Sequence, residues 1–167
     1  MENEMKKPTI KALIKKADDA FQTMIRYRDN FKCITCGRQF PFGERTNLHA
    51  GHFVGRGNKS VRWDEENVNA QCAYCNMQQS FGNVFVIRSY ENALESKYGI
   101  GTVERLIKKG KQPFKPTREF LEDIIKSSNE FVANKKAQRD SGVNNTYGDG
   151  VLYSPDVTVP TTSGEEK

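Results

Sequence analysis

Apolar residues recur at steps of three and four near the start of the chain and again in its second half, which predicts amphipathic helices. The first such pattern covers about residues 9–28, and Thr9, which follows Pro8, is a plausible N-cap. Its apolar stripe consists of Ile10, Leu13, Ile14, Ala17, Phe21, Met24 and Ile25.

The helical period disappears between Phe31 and Ala70, where glycine, proline and aromatic residues are frequent. This composition predicts short strands and loops. Within this stretch "NLHAGHFV" reads as a strand, and "DEENVNAQCAYCN" reads as a loop that enters a helix at its cysteines.

Three further helices are predicted in the second half. One runs from about Val84 to Tyr98 with Gly99 as its C-cap, and a short one runs to Lys109, capped by Thr102. The last begins at Thr117. Its inward-facing residues are expected to be Phe120, Leu121, Ile124, Ile125, Phe131 and Val132.

After Asp140 the chain is rich in Gly, Ser, Thr, Asn and Pro and has little periodicity, which predicts a flexible tail. The predicted organisation is an N-terminal amphipathic helix in residues 1–30, a core in residues 31–99, C-terminal helices in residues 100–140 and an acidic tail in residues 141–167. The expected fold class is α+β, in a mainly helical single domain.

The charge is unevenly distributed. The formal net charge is +5, but residues 141–167 carry −3, so the preceding 140 residues, with 25 basic and 17 acidic side chains, carry +8. A basic body favours a polyanionic partner such as nucleic acid, although solubility alone is the alternative. The N-terminus lacks the apolar segment of a secretory signal and no run reaches 18 apolar residues, so we expect a cytoplasmic protein without a membrane partner.

The four cysteines form two Cys-x-x-Cys pairs, "CITC" and "CAYC". Two such pairs can complete a tetrahedral thiolate shell, which predicts a structural zinc ion bound by Cys33, Cys36, Cys72 and Cys75. Disulfides are disfavoured in a cytosolic chain, and a thioredoxin-like motif requires a βαβ setting that the pattern lacks. Gly37 is expected to supply the positive φ that such a turn usually needs.

The segment "AGHFVGRGNKSVRWDEENVNAQCAYCN", followed by "GNVFVIRSYENALESKYG", resembles the NinG/Rap recombination proteins of lambdoid phages, within the zinc-stapled HNH (ββα-metal) nuclease superfamily. The resemblance covers roughly residues 33–99, and it implies that residues 31–99 form a zinc-stapled ββα-metal (HNH-like) nuclease core embedded in the mainly helical domain. It implies a metal-dependent DNA endonuclease that acts on branched recombination intermediates, such as Holliday junctions and D-loops, in the bacterial host cell. A homodimer and phage recombination proteins are possible partners.

The resemblance also implies roles for individual residues. His52 would be the general base, Asn67 would orient the loop, and Asn76 would ligate a catalytic Mg²⁺ or Mn²⁺. Many HNH enzymes carry an acid or histidine directly before the base, whereas Gly51 stands there in this sequence. His49 is the nearest substitute ligand on the strand, and Asp64, Glu65 and Glu66 are the alternatives from the loop.

Cationic residues around the expected base could contact DNA phosphates. The predicted DNA-binding set is Arg56, Lys59, Arg62, Trp63 and Arg88. Trp63 could stack on an unpaired base or pack under the loop. Two rival functions stay open: a non-catalytic zinc protein that binds DNA as a recombination accessory, and an HNH enzyme that nicks ordinary duplex.

Overall fold

The computed structural model describes residues 7–142, in which five helices accompany a two-stranded sheet. The elements are, in chain order, α1 (Ile10–Arg28), β1 (Leu48–His52), β2 (Val68–Cys72), α2 (Ala73–Ser80), α3 (Val84–Tyr98), α4 (Thr102–Gly110) and α5 (Arg118–Asp140). A single 3-10 turn, Lys59–Val61, lies in the loop between the two strands. The α+β class is therefore confirmed, and the predicted tail lies outside the described residues from residue 143 onward.

The first and last helices pack against each other through the apolar stripes that predicted them, and the first also packs against the sheet. Thr9 accepts a hydrogen bond from the Ala12 amide at 3.2 Å, so the expected N-cap is confirmed. Thr117, where the last helix was expected to begin, is the N-cap of α5 and accepts a hydrogen bond from the Phe120 amide at 3.2 Å. The expected cap of α4 was wrong by one residue. Gly101, at φ 89°, is the N-cap, while Thr102 donates its hydroxyl hydrogen to the Gly99 carbonyl.

The sheet is an antiparallel hairpin in which Leu48 pairs with Cys72 and His52 pairs with Val68. Because strand side chains alternate, the two faces of this hairpin differ in character. One face packs on α1 and contains Leu48, Ala50, Val68, Ala70 and Cys72. The opposite face carries His49, Gly51, Asn69 and Gln71, whose partners come from α2 and α3.

A smaller core joins α3 and α4 to the loop between the strands, and its buried members are Val61, Tyr90, Leu94 and Leu106. Gly110 ends α4 against this loop, since a Cβ there would lie 2.8 Å from Val54 Cγ1. The loop is therefore held on one side by α4 and on the other by the hairpin. Within residues 7–142, no helix is both long and apolar enough to cross a membrane.

Candidate functional site

The four cysteines converge at the junction of the first turn, the hairpin and α2. Their sulfur atoms all lie within 4.8 Å of one another, and Cys36 Sγ is 3.9 Å from Cys72 Sγ. The Cys72 amide donates to Cys33 Sγ at 3.2 Å, and the Cys75 amide donates to Cys72 Sγ at 3.4 Å. Gly37 has φ 71°, as expected for the turn after the first pair.

This geometry fits a tetrahedral metal ion. Zinc–sulfur bonds of about 2.3 Å place the sulfurs of a tetrahedral site roughly 3.8 Å apart, whereas a disulfide needs about 2.05 Å. Burial and the neighbouring sulfurs raise the pKa of the Cys75 thiol, so the thiolates need a cation to offset their mutual repulsion. The cluster can therefore hold a metal ion such as zinc, which would fix the start of α2 against the first cysteine pair.

Asn67 organises the loop between the strands. It is fully buried, and its Oδ1 accepts from the Val54 amide at 2.7 Å while its Nδ2 donates to the carbonyls of Val54 and Val61 at 3.0 and 2.9 Å. The side chain thus joins the start of the loop to the 3-10 turn. The role of Asn67 in orienting a catalytic base, which the resemblance implied, stays a prediction.

His52 ends β1 on the face that packs on α1, and its Nε2 lies 3.0 Å from the backbone carbonyl of Arg62. A carbonyl only accepts, so Nε2 carries the proton and Nδ1 keeps a lone pair. The carbonyl is itself fixed, because the Arg62 guanidinium makes two hydrogen bonds to the Asp18 carboxylate on α1. His52 therefore has one defined tautomer with a free basic nitrogen.

Burial lowers the pKa of His52, and the positive charges of Arg56 and Arg62 lower it further. The hydrogen bond to the Arg62 carbonyl and the Asp18 carboxylate act in the opposite direction but do not offset burial. The ring is therefore neutral at pH 7. A neutral, half-buried imidazole with a fixed tautomer is suited to accept a proton.

His49 and Asn76 come together on the opposite face of the hairpin. His49 Nε2 is 3.2 Å from the Thr46 carbonyl, so it carries the proton, and the unprotonated Nδ1 is 3.3 Å from Asn76 Nδ2. His52 does not share this contact, because it stands three positions along the strand from His49 and faces the other way. It remains close to α2 through its backbone, since Gln79 Nε2 donates to the His52 carbonyl at 3.0 Å.

Gln71 is a site residue that the sequence reading missed. It is fully buried, and its Nε2 donates to Thr35 Oγ1 and to Gln79 Oε1, both at 2.9 Å. Its Oε1 lies against Gly51, where a Cβ would overlap with that oxygen and lie 2.8 Å from Gln71 Cβ. The signal was available in alternation, since residues 69 and 71 are polar and face the same side as Gly51.

The acidic residues of the loop are engaged elsewhere. Asp64 accepts from the Glu66 and Asn67 amides and pairs with Lys109. Glu65 lies 3.6 Å from Arg28, and Glu66 lies 3.5 Å from Arg105. None of the three contacts His49 or Asn76 among the described residues.

The five DNA-binding candidates divide into two groups. Arg56, Lys59 and Arg88 are exposed. Arg62 is bound to Asp18, and Trp63 is 7% exposed with its ring edge-to-face on Phe120 at 5.8 Å, which is the packing alternative stated for it. Arg56 also lies 3.6 Å from the Asp18 carboxylate, so Lys59 and Arg88 are the candidates that have no ion pair within the described residues.

The fold and site define an α+β protein in which a four-cysteine cluster, able to hold a metal ion, fixes a helix to a β-hairpin. Comparison with known proteins identifies the family. Residues 2–140 match the family described as "Bacteriophage Lambda NinG protein", and the chain belongs to this NinG family.

Protein ninG of Salmonella phage P22 is 33% identical over 95 residues, which is 56% of this chain and 43% of that protein. The matched region thus spans less than half of the relative's length. No solved structure matches the chain.

Proposed function

We propose that this protein is a metal-dependent DNA endonuclease of the HNH type that cuts branched recombination intermediates. The observation that carries the proposal is the hydrogen bond from His52 Nε2 to the Arg62 carbonyl, which leaves Nδ1 as the only basic position of the ring. A zinc-binding accessory protein has no need for an imidazole held in one tautomer by a buttressed backbone carbonyl.

The base acts on water. His52 Nδ1 accepts a proton from a water molecule as the water oxygen attacks the phosphorus, and the bond from phosphorus to the leaving oxygen breaks. The imidazolium that results is close enough to Asp18 for the carboxylate to favour it. Asn67 holds the loop on which the Arg62 carbonyl is presented, so its contribution is to orient the base.

We place the divalent cation on the hairpin face toward α2. His49 Nδ1 and the Asn76 amide are neighbours there, and Oε1 of Gln71 is a buried oxygen that no donor of the described chain reaches. His49 and Asn76 would hold the ion. Bound Mg²⁺ or Mn²⁺ would stabilise negative charge on a phosphate held at this face. Because His52 faces the other side of the hairpin, one phosphate could meet both the base and the ion only at the end of β1 or after a rearrangement of the hairpin.

The DNA would lie along an exposed basic surface. Lys59 stands in the loop beside α4, because the neighbouring Ser60 hydroxyl donates to the Lys109 carbonyl at 2.7 Å. The exposed basic residues of this surface are Arg56, Lys59, Lys108 and Lys111. Such contacts neutralise phosphates without reading bases, so recognition follows the shape of the DNA. A symmetrical cut at a four-way junction needs two nicks, which a homodimer would provide.

The test is cleavage of a labelled four-way junction and of a linear duplex with the same arm sequences, each in Mg²⁺, in Mn²⁺ and in EDTA. We expect cleavage that depends on the metal and prefers the junction. Equal cutting of both substrates would replace the proposal by a general nicking nuclease. Binding of the junction without cutting in either metal would favour a non-catalytic recombination accessory protein.

A further inference from the structure

A cleft opens beside the loop that joins the two strands. It lies between loop residues 59–64 and the segment 109–114, and its volume is about 270 Å³. The aromatic residues that line it are Trp63, Phe114 and Phe120. The volume is just below the range of roughly 300–1,000 Å³ that is typical of pockets for drug-sized ligands, so the cleft suits one planar ring system rather than a larger ligand.

Phe114 supplies accessible ring surface to this cleft. It is 39% exposed although it is apolar, and its ring is held edge-to-face on Phe120 at a centroid distance of 5.2 Å. Pro113 and Pro116 restrict the backbone on either side of it. A fixed aromatic ring that leaves over a third of its surface open is suited to stack on another ring.

The charged residues of the cleft separate its interior from its rim. Inside, the Asp64 carboxylate accepts from two backbone amides and pairs with Lys109, so it is already satisfied and would repel a further anion. At the rim, Lys59 borders both the cleft and the adjoining groove, and Lys111 lines that groove. Neither of these two lysines enters an ion pair in the part of the chain that the structure describes. This pattern fits a neutral ring inside and an anionic group at the rim.

A nucleotide combines these two features, since an uncharged planar base is attached to an anionic phosphate. In a duplex both faces of a base are covered by its neighbours, so a base that is already unpaired enters such a cleft at the lowest cost. The cleft is also close to the proposed catalytic residue in the chain, because Trp63 directly follows Arg62, whose carbonyl receives the His52 hydrogen bond.

We propose that this cleft binds the base of one unpaired nucleotide, stacked on Phe114, with the neighbouring phosphates at Lys59 and Lys111. The inference rests on the proposed function, since it names the feature of branched DNA that the exposed basic surface recognises. Stacking tolerates any base, so the cleft adds a preference for unpaired strands without sequence specificity.

The first test uses the zinc-loaded full chain without added Mg²⁺ or Mn²⁺. Trp63 is the only tryptophan of the sequence, so its fluorescence reports on the cleft. The protein is titrated with a duplex that carries a short thymine flap, and with the same duplex carrying an abasic flap, which keeps the phosphates but lacks the bases. We expect the thymine flap to bind about tenfold more tightly and to change the fluorescence of Trp63. Equal binding of the two flaps would overturn the inference, and so would tighter binding of the same flap made of RNA.

The second test uses Phe114→Leu, which keeps an apolar contact with Phe120 but removes the ring. We expect it to lose about tenfold in affinity for the thymine flap and nothing for the abasic flap, whereas Phe114→Tyr, which keeps a ring, should bind as the wild type does. Phe85→Leu is the matched control, since Phe85 is 86% exposed on α3 and does not line the cleft. An equal loss of affinity for both flaps in Phe114→Leu would show that Phe114 does not stack on a base.

These binding measurements do not depend on cleavage, so the two proposals can fail separately. If the wild type cuts the four-way junction but binds both flaps equally, only the assignment of the cleft fails. If it distinguishes the flaps but cuts no DNA in Mg²⁺ or in Mn²⁺, the cleft binds an unpaired base and the nuclease proposal fails.

Discussion

The imidazole of His52 and the backbone carbonyl of Arg62 are joined by a 3.0 Å hydrogen bond, across ten residues of loop. The guanidinium of the same arginine donates two hydrogen bonds to the Asp18 carboxylate on α1. One residue therefore links the first helix to the ring that we propose as the base. We therefore expect the reactivity of His52 to depend on the pairing of Arg62 with Asp18.

The first prediction concerns pH. Because burial lowers the pKa of His52 below its usual 6.5, the neutral base is already formed at pH 7, and kcat should rise with pH only in the acidic range. Arg56→Gln removes a positive charge that lowers this pKa, so the acidic limb should move to higher pH. The pH profile of single-turnover cleavage and the NMR titration of His52 would both show the shift. If the acidic limb of the cleavage profile lies at the same pH in Arg56→Gln and in the wild type, the assignment of His52 as the base is contradicted.

The same pKa makes a prediction for stability. The unfolded chain takes up a proton on His52 at higher pH than the folded chain does, so the free energy of unfolding should fall as pH drops through the range just below 6.5. Urea unfolding at a series of pH values, compared between wild type and His52→Ala, would isolate this contribution. Parallel curves for the two proteins would mean that His52 titrates normally.

The next variant tests whether the pairing of Asp18 with Arg62 supports the Arg62 carbonyl that binds His52. Asp18→Asn weakens a buried charged pair with Arg62, and we expect a loss of about 2–3 kcal/mol in the free energy of unfolding. Cleavage should fall as well, since the Arg62 carbonyl loses its support. Asp19→Asn, at the exposed neighbouring position, is the control and should change neither quantity. Urea unfolding and single-turnover rates measure the two effects.

Another variant tests whether the Asn67 side chain anchors the loop between the two strands. Asn67→Asp keeps the shape of the side chain but replaces the Nδ2 donor, which serves two carbonyls, by an acceptor. We expect a loss of about 3 kcal/mol or more, because a buried charge would face two carbonyl oxygens. The exposed Asn47→Asp is the control. Similar midpoints for both variants in a urea titration would show that Asn67 is not an anchor.

A further prediction concerns metal removal. Elemental analysis should find one zinc ion per chain, and Cys75→Ser should lower that content and the melting temperature together. Excess Mg²⁺ should not restore the fold after chelation, because thiolates bind this hard cation poorly. A chelated protein with unchanged melting temperature would show that the cluster is not a structural zinc site.

A separate prediction concerns the exposed basic surface. Lys59→Gln and Lys111→Gln should each weaken junction binding and reduce the slope of log affinity against log salt by about 0.9 if the residue contacts one phosphate. Lys15→Gln, on the exposed side of α1, is a comparison of equal charge. If all three variants weaken junction binding equally, binding depends only on the net charge of the protein.

The helices and the metal cluster could be predicted from sequence because their signals are local. The apolar period of residues 10–25 predicted α1, and the two Cys-x-x-Cys pairs predicted which sulfurs would meet. The N-cap of α4 was predicted one residue too late, at Thr102. The observed N-cap is Gly101, which adopts a left-handed conformation that glycine tolerates and threonine disfavours.

The supports of the site could not be predicted because they are distant in sequence. Asp18 and Arg62 are 44 residues apart, and nothing in either segment indicates the pairing. Arg62 was read as a DNA contact for that reason. To predict that His52 lies on the opposite face from His49 and Asn76, one would need the register of the hairpin. To predict where Gln71 packs, one would need to know that Gly51 leaves space for its side chain.

The most direct test of the nuclease proposal is single-turnover cleavage of a labelled four-way junction in Mn²⁺ by wild type and His52→Ala, with junction binding measured on the same samples. We predict a fall in cleavage rate of at least about 10²-fold with unchanged affinity, because only the proton acceptor is removed. Cleavage by His52→Ala at the wild-type rate would contradict the proposal that His52 is the catalytic base.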